Sequence, residues 1–182
     1  MANEVITLPL PTGFNYDFVV DWGDGTTSEV DSPTDIDIAH TYAVAGNYTV
    51  EITGLCESWS FSSFPTDKDK ITAVTDLGDV GWKDFSGAFE NCQNLTNFDG
   101  GVTDEVTNMS SMFNDAINVT PDASTWDTGL VTNMNSMFRD AAMANPVTTT
   151  WDTSLVTNMT NMFYGASLAN PCLLYTSDAA DE

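Results

Sequence analysis

The chain has 182 residues, 42% of them hydrophobic, which suffices for one domain or two small ones around a buried core. Four basic residues, Lys68, Lys70, Lys83 and Arg139, stand against 27 acidic ones, and the formal charge of −23 argues against nucleic acid or an anionic membrane as partner. No apolar run approaches the ~20 residues that a membrane-spanning helix needs.

In chain order, Met1-Ala2-Asn3-Glu4-Val5 has neither the basic start nor the apolar stretch of a secretory signal. The chain is therefore expected either not to leave the cell by that route or to begin further upstream. A short strand is predicted near Val5 to Leu8. Antiparallel strands are predicted where Tyr16-Asp17-Phe18-Val19-Val20-Asp21-Trp22 and Tyr48-Thr49-Val50-Glu51-Ile52 alternate in polarity. Gly23-Asp24-Gly25 and Gly46-Asn47 supply tight turns between them. Asp21 and Asp24 flank the first turn and form a candidate pair for a calcium ion, although Asp is also simply a good turn residue.

The order Trp22-Gly23-Asp24-Gly25-Thr26, then His40-Thr41-Tyr42, then Gly46-Asn47-Tyr48-Thr49-Val50 resembles the polycystic kidney disease (PKD) domain family. The resemblance implies a small or incomplete immunoglobulin-like β-sandwich over residues 1–55, of a kind found in extracellular and surface proteins. It also implies a packing and hydrogen-bonding role for His40.

Residues 56–80 read as a connector, with Pro65, the charged run Asp67-Lys68-Asp69-Lys70 and a predicted strand at Ile71-Thr72-Ala73-Val74. The lysines are expected to relieve local acidity in an exposed loop. Cys56 and Cys92 lack zinc-ligand spacing and are left either as one disulfide or as free thiols.

From residue 81 to 171 the chain repeats. Val-Thr-Asn-Met-x-x-Met-Phe begins at Val106, Val131 and Val156, and Trp126-Asp127-Thr128 returns as Trp151-Asp152-Thr153, both with a period of 25 residues. Gly81 to Phe89 is a degenerate first copy, with Phe85 and Phe89 where later copies place Met109 and Phe113. In each copy Thr107, Thr132 or Thr157 is expected to start a short helix. Met109/Met112/Phe113, Met134/Met137/Phe138 and Met159/Met162/Phe163 then share one buried face at i, i+3, i+4. With a brief strand per unit near Val147 to Trp151, stacking predicts an α/β solenoid of about four repeats. The motif resembles the short-repeat branch of the BspA-like leucine-rich-repeat surface proteins, the domain of unknown function of mycoplasma lipoproteins. That likeness implies a surface or secreted protein that binds hosts, other cells or matrix. Cys172–Glu182 breaks the period and resembles a translated transposase-type sequencing adaptor, so it is expected to lie outside the native fold.

The expected architecture is thus α+β, a small N-terminal PKD-like β-sandwich followed by an α/β leucine-rich-repeat-like solenoid. No Ser or Cys motif accompanies the single histidine and no phosphate-cradling glycine loop is present, so no catalysis and no cofactor beyond calcium is expected. The expected function is adhesion, through a protein or glycan on a host, cell or matrix surface, at an extracellular or cell-surface location. The alternatives are a structural virion or tail-associated protein and a calcium-binding surface module. Asp127 and Asp152, on equivalent turns, are the candidates for a binding rim along the array's edge.

Overall fold

The computed structural model describes residues 4–64 and 67–171. Residues 1–3 and 65–66 and the adaptor-like segment 172–182 lie outside the described residues.

Five strands occupy the N-terminal part: β1 Glu4–Thr7, β2 Tyr16–Asp21, β3 Thr27–Val30, β4 Ala39–Tyr42 and β5 Glu51–Cys56. They form two small antiparallel sheets, β1 with β4 and β3-β2-β5. Alternation in β2 buries Tyr16, Phe18 and Val20 and exposes Asp17, Val19 and Asp21, as a strand with one wet face must. The strand expected from Tyr48 starts instead at Glu51. Tyr48 is drawn into a loop, where its ring stacks on Tyr42 at 4.1 Å and its hydroxyl donates to the Val44 carbonyl.

The expected α+β class, with an immunoglobulin-like sandwich and an α/β leucine-rich-repeat-like solenoid, is corrected by the structure. No α-helix occurs among the described residues, and the sheets hold two or three short strands each. Beyond β5 the strands are β6 Ala73–Val74, β7 Asn97–Phe98 and β8 Thr120–Pro121, parallel and two residues long. The strand expected near Val147 to Trp151 is absent.

The reason lies in where the backbone N–H groups go. In an α-helix every interior N–H is spent within its own segment. Here the groups alternate. Met112, Asn114 and Ala116 donate three residues back, to Met109, Ser111 and Phe113. Met109, Ser111, Phe113 and Asp115 donate instead to Asn133, Asn135, Met137 and Arg139 of the next unit, at 2.8–2.9 Å. Ser111 and Asp115 accordingly adopt φ of 54° and 58°, and Ser136, Asp140 and Asn161 follow at 53°, 56° and 58°. A right-handed helix cannot contain that left-handed conformation. Each unit is therefore a rung of consecutive tight turns, hydrogen-bonded to the rungs on either side.

Thr107, Thr132 and Thr157 start no helix. Their hydroxyls donate to the carbonyls of Lys83, Thr107 and Thr132 in the preceding rung. The Asn beside each accepts the N–H two residues on, from Ser110, Asn135 and Thr160, closing a side-chain turn. Single-residue parallel bridges link Ser58, Asp84, Asn108, Asn133 and Asn158 into one ladder.

The core runs without a break from Leu8 in the sheets to Met162 in the last rung. Phe89, Phe113, Phe138 and Phe163 stack at 5.4–5.7 Å between ring centres and within 15° of parallel. Trp126 and Trp151 stack alongside at 6.0 Å. Burying each Phe contributes about 1.5–3 kcal/mol.

Candidate interaction surface

The rungs also have an outer face, built by local alternation. Val106 and Val131 point into the core, so the residues on either side of each point out. One side carries Glu105, then Leu130 at 50% exposure and Leu155 at 51%. The other carries Thr107, Thr132 and Thr157, all exposed. Because each Thr hydroxyl has already donated its hydrogen to the rung before it, only acceptor capacity and methyl groups remain for a partner. Met143 and Leu168, also 25 residues apart, are exposed at 44% and 53% along another edge.

Asp127 and Asp152 are exposed on equivalent turns. One oxygen of each accepts an N–H two residues on, from Gly129 at 2.8 Å and from Ser154 at 2.9 Å. The Ser154 backbone N–H, and then its side chain, hold the Asp152 carboxyl below the ordinary range. These aspartates build turns, and each keeps a second carboxylate oxygen at the surface.

The repeat residues lie beneath this face. Phe85, Met109, Met112, Phe113, Met134, Met137 and Phe138 are fully buried, Phe89 and Met162 nearly so, and Met159 and Phe163 partly.

At the N-terminal turn, Asp21 accepts the Gly23 N–H, and Asp24 accepts both the N–H and the hydroxyl of Thr26. The second Asp24 oxygen meets His40 Nε2 at 2.9 Å. The Thr26 and His40 side chains together hold the Asp24 carboxyl below its usual range. The His40 ring lies flat on Trp22 at 4.7 Å and edge-on to Tyr42 at 4.6 Å. Gly23 has φ of 77°, and a Cβ there would sit 2.4 Å from the Thr49 carbonyl oxygen, so the turn needs glycine. Among the described residues no group of three or more His, Cys, Asp or Glu is arranged to hold a metal ion.

A depression on the outer face of β3-β2-β5 is lined by Asp17, Glu29, Asp31, Asp35 and Asp37 around Val19. Cys56 and Cys92 are free and buried, and burial pushes both thiols up to about 12.

Two features had little signal in the sequence. The buried Glu57 carboxylate accepts the Asn15 N–H at 2.8 Å, the Asn15 side-chain amide at 3.0 Å and the Lys83 ammonium, joining the first sheets to the first rung. Lys83, with Asn15 second, holds that carboxyl below the ordinary range. Lys70 is likewise not a loose loop charge. It pairs with Asp67 at 2.7 Å and donates to the Val5 carbonyl, while Asp67 accepts the Thr7 N–H, so together they close the edge of β1. The Leu130/Leu155 and Thr strip did have a signal, since both residue types recur with the 25-residue period.

No helix of the described residues is long and apolar enough to cross a membrane. Residues 83–174 match the family model described as Mycoplasma protein of unknown function, DUF285. No curated protein and no solved structure matches the chain.

Proposed function

Because the chain belongs to the family of Mycoplasma proteins of unknown function, DUF285, we propose that it is a non-catalytic surface protein that binds a protein or glycan through its rungs. The observation that carries this reading is the strip in which Leu130 and Leu155 lie beside Thr107, Thr132 and Thr157, repeating in step with the ladder. Regularly spaced apolar side chains beside acceptor-rich hydroxyls suit a partner with extended amide or sugar donors. In this reading His40 has a packing and hydrogen-bonding place in the N-terminal sheets, with its ring against Trp22 and Tyr42 and its Nε2 facing Asp24. The PKD-like pattern from Trp22 to Val50 and the BspA-like motif support an extracellular or cell-surface location.

The test is binding of labelled chain to immobilised glycans, matrix proteins and intact cells, with and without Leu130→Asp/Leu155→Asp. Both leucines are half exposed, so the double variant should keep its melting temperature within the range of surface substitutions, about 0.5 kcal/mol. Binding should fall at least about tenfold, as for loss of two apolar contacts near an interface centre. Equal binding by the folded variant, or none by the unaltered chain, would remove the strip from consideration.

A further inference from the structure

The strip beside Val106, Val131 and Val156 accepts hydrogen bonds and donates few. The Thr107, Thr132 and Thr157 hydroxyls spend their hydrogen on the carbonyls of Lys83, Thr107 and Thr132, and the backbone N–H groups of the same three residues go to the same carbonyls. The Gly129 and Ser154 N–H groups go to Asp127 and Asp152. Each of these last two bonds ties a carboxylate to the residue just before an exposed leucine, Leu130 or Leu155. In the rung before, Asp104 and Glu105 are both exposed, Glu105 in the place the leucines take later. None of the ion pairs among the described residues includes Asp104, Glu105, Asp127 or Asp152. Lys83, at the head of the threonine column and near enough to feel Glu105, is already held by Glu57.

A face of apolar side chains and acceptors selects its partner by chemistry. A sugar hydroxyl both donates and accepts, so a neutral glycan laid here sets its own acceptors against acceptors and leaves them unmatched. An anionic glycan, or a second copy of the chain with its own −23, meets like charge. Lysine and arginine side chains donate without accepting, and their apolar stems lie well along leucine while the charged heads reach out to carboxylates. We infer that the strip docks a basic polypeptide segment, whose lysine and arginine stems pack on Leu130 and Leu155 and whose heads pair with Asp104, Glu105, Asp127 and Asp152. The inference rests on the strip being the binding face, and it narrows the occupant from protein or glycan to a cationic protein segment.

The test measures binding of a labelled peptide rich in lysine and leucine to the full chain. It is compared with the same peptide carrying glutamate for every lysine, a neutral chitin oligosaccharide and a cationic chitosan oligosaccharide. Asp104→Asn, Glu105→Gln, Asp127→Asn and Asp152→Asn together remove the strip's charge, while the amide oxygens still accept the Gly129 and Ser154 N–H groups. A control removes equal charge from the outer face of β3-β2-β5 through Asp17→Asn, Glu29→Gln, Asp31→Asn and Asp37→Asn. The strip variant should bind the basic peptide at least about tenfold more weakly and the control less than about threefold, since screened charges act over about one Debye length. The other probes should bind the unaltered chain at least about tenfold more weakly than the basic peptide does. Equal loss in the two variants would assign binding to overall charge and overturn the inference, and so would chitosan bound as tightly as the peptide. Leu130→Ser/Leu155→Ser tests the face itself without changing its charge. Loss there, with none in the strip's carboxylate variant, keeps the strip as the binding face and overturns only its basic partner; loss in neither overturns both. Should the fourfold variant fail to fold, Asp104→Asn/Glu105→Gln is read in its place, because those two side chains make no hydrogen bond among the described residues. A loss of at least about threefold is then expected, and no loss overturns the inference.

Discussion

The strands before Cys56 and the rungs after Gly81 bury comparable side chains by opposite uses of the backbone. In β2 the hydrogen-bonding direction lies in the sheet, towards β3 and β5, and side chains alternate across it. In the rungs each second N–H closes a turn at home and the others leave for the next unit. A sheet strand thus has its partners before and after it in a fold of fixed size, whereas a rung has meaning only beside another rung. The sheets are expected to answer damage as a local unit with fixed partners, and the rungs to pass damage along the stack.

The largest effect comes from breaking the stack at its centre. Phe138 contacts Phe113, Phe163 and Trp151 and is fully buried. Phe138→Ala should cost about 3–5 kcal/mol, the range for a large core aromatic. The indole N–H of Trp151, which donates to the Ala123 carbonyl, should lose protection in hydrogen exchange. The indole N–H of Trp22, which donates to Ser28, should keep its own. Equal loss at both would show that sheets and rungs open as one unit, and the contrast between them would fail.

A smaller effect separates turn from helix at the residue where the two disagree in sign. Ser111 has φ of 54° in the position that Gly87 occupies in the first rung. Ser111→Gly should be neutral or stabilising by up to about 1 kcal/mol, because glycine accepts that conformation freely. Ser111→Val should destabilise by roughly 1–3 kcal/mol, as a β-branched side chain at positive φ is strained. In a helix Gly would instead cost about 1 kcal/mol relative to a good helix former. Thermal unfolding of the two variants decides the order.

That sign change also marks how far the sequence could be read. The spacing of Met109, Met112 and Phe113 identified residues that do lie inside, because i, i+3, i+4 is compatible with a chain of three-residue turns as well as with a helix. The competing signal was present in the small and polar residues at the left-handed positions, Gly87, Ser111 and Ser136 in one column and Asn91, Asp115, Asp140 and Gly165 in the next. Asp, Asn and Gly tolerate positive φ, and their return every rung is a turn signature that apolar periodicity hides. In the N-terminal part, alternation located β2 directly, whereas β5 slipped because the Tyr42–Tyr48 stack is a contact between residues that no local pattern pairs. Glu57 was silent for the same reason, since its partners Asn15 and Lys83 lie 42 and 26 residues away. The outer strip was readable as a recurrence and its meaning was not, because exposure depends on which way the rung closes.

The smallest predicted effect tests whether the N-terminal turn and the rungs share their acid sensitivity. The Asp24 carboxyl is held low by Thr26 and His40, as Asp122 is by Ser124 and Asp152 by Ser154 in the rungs. A depressed folded value means that the carboxylate's contribution is complete above the unfolded value, about 3.9 for Asp, and disappears as pH falls through the folded value. Acidification below that point should therefore loosen both regions, and Asp24→Asn should remove only the N-terminal share. The measurement is exchange at the Trp22 and Trp151 indoles at neutral pH and near pH 3 in both chains. Asp24→Asn should shrink the acid response at Trp22 and leave that at Trp151 unchanged. A Trp22 response that keeps its full size without the Asp24 carboxylate would assign the acid sensitivity of the sheets to another group. Glu57 would then be first in line, because it is held low by Lys83 at the junction and would loosen sheets and first rung together.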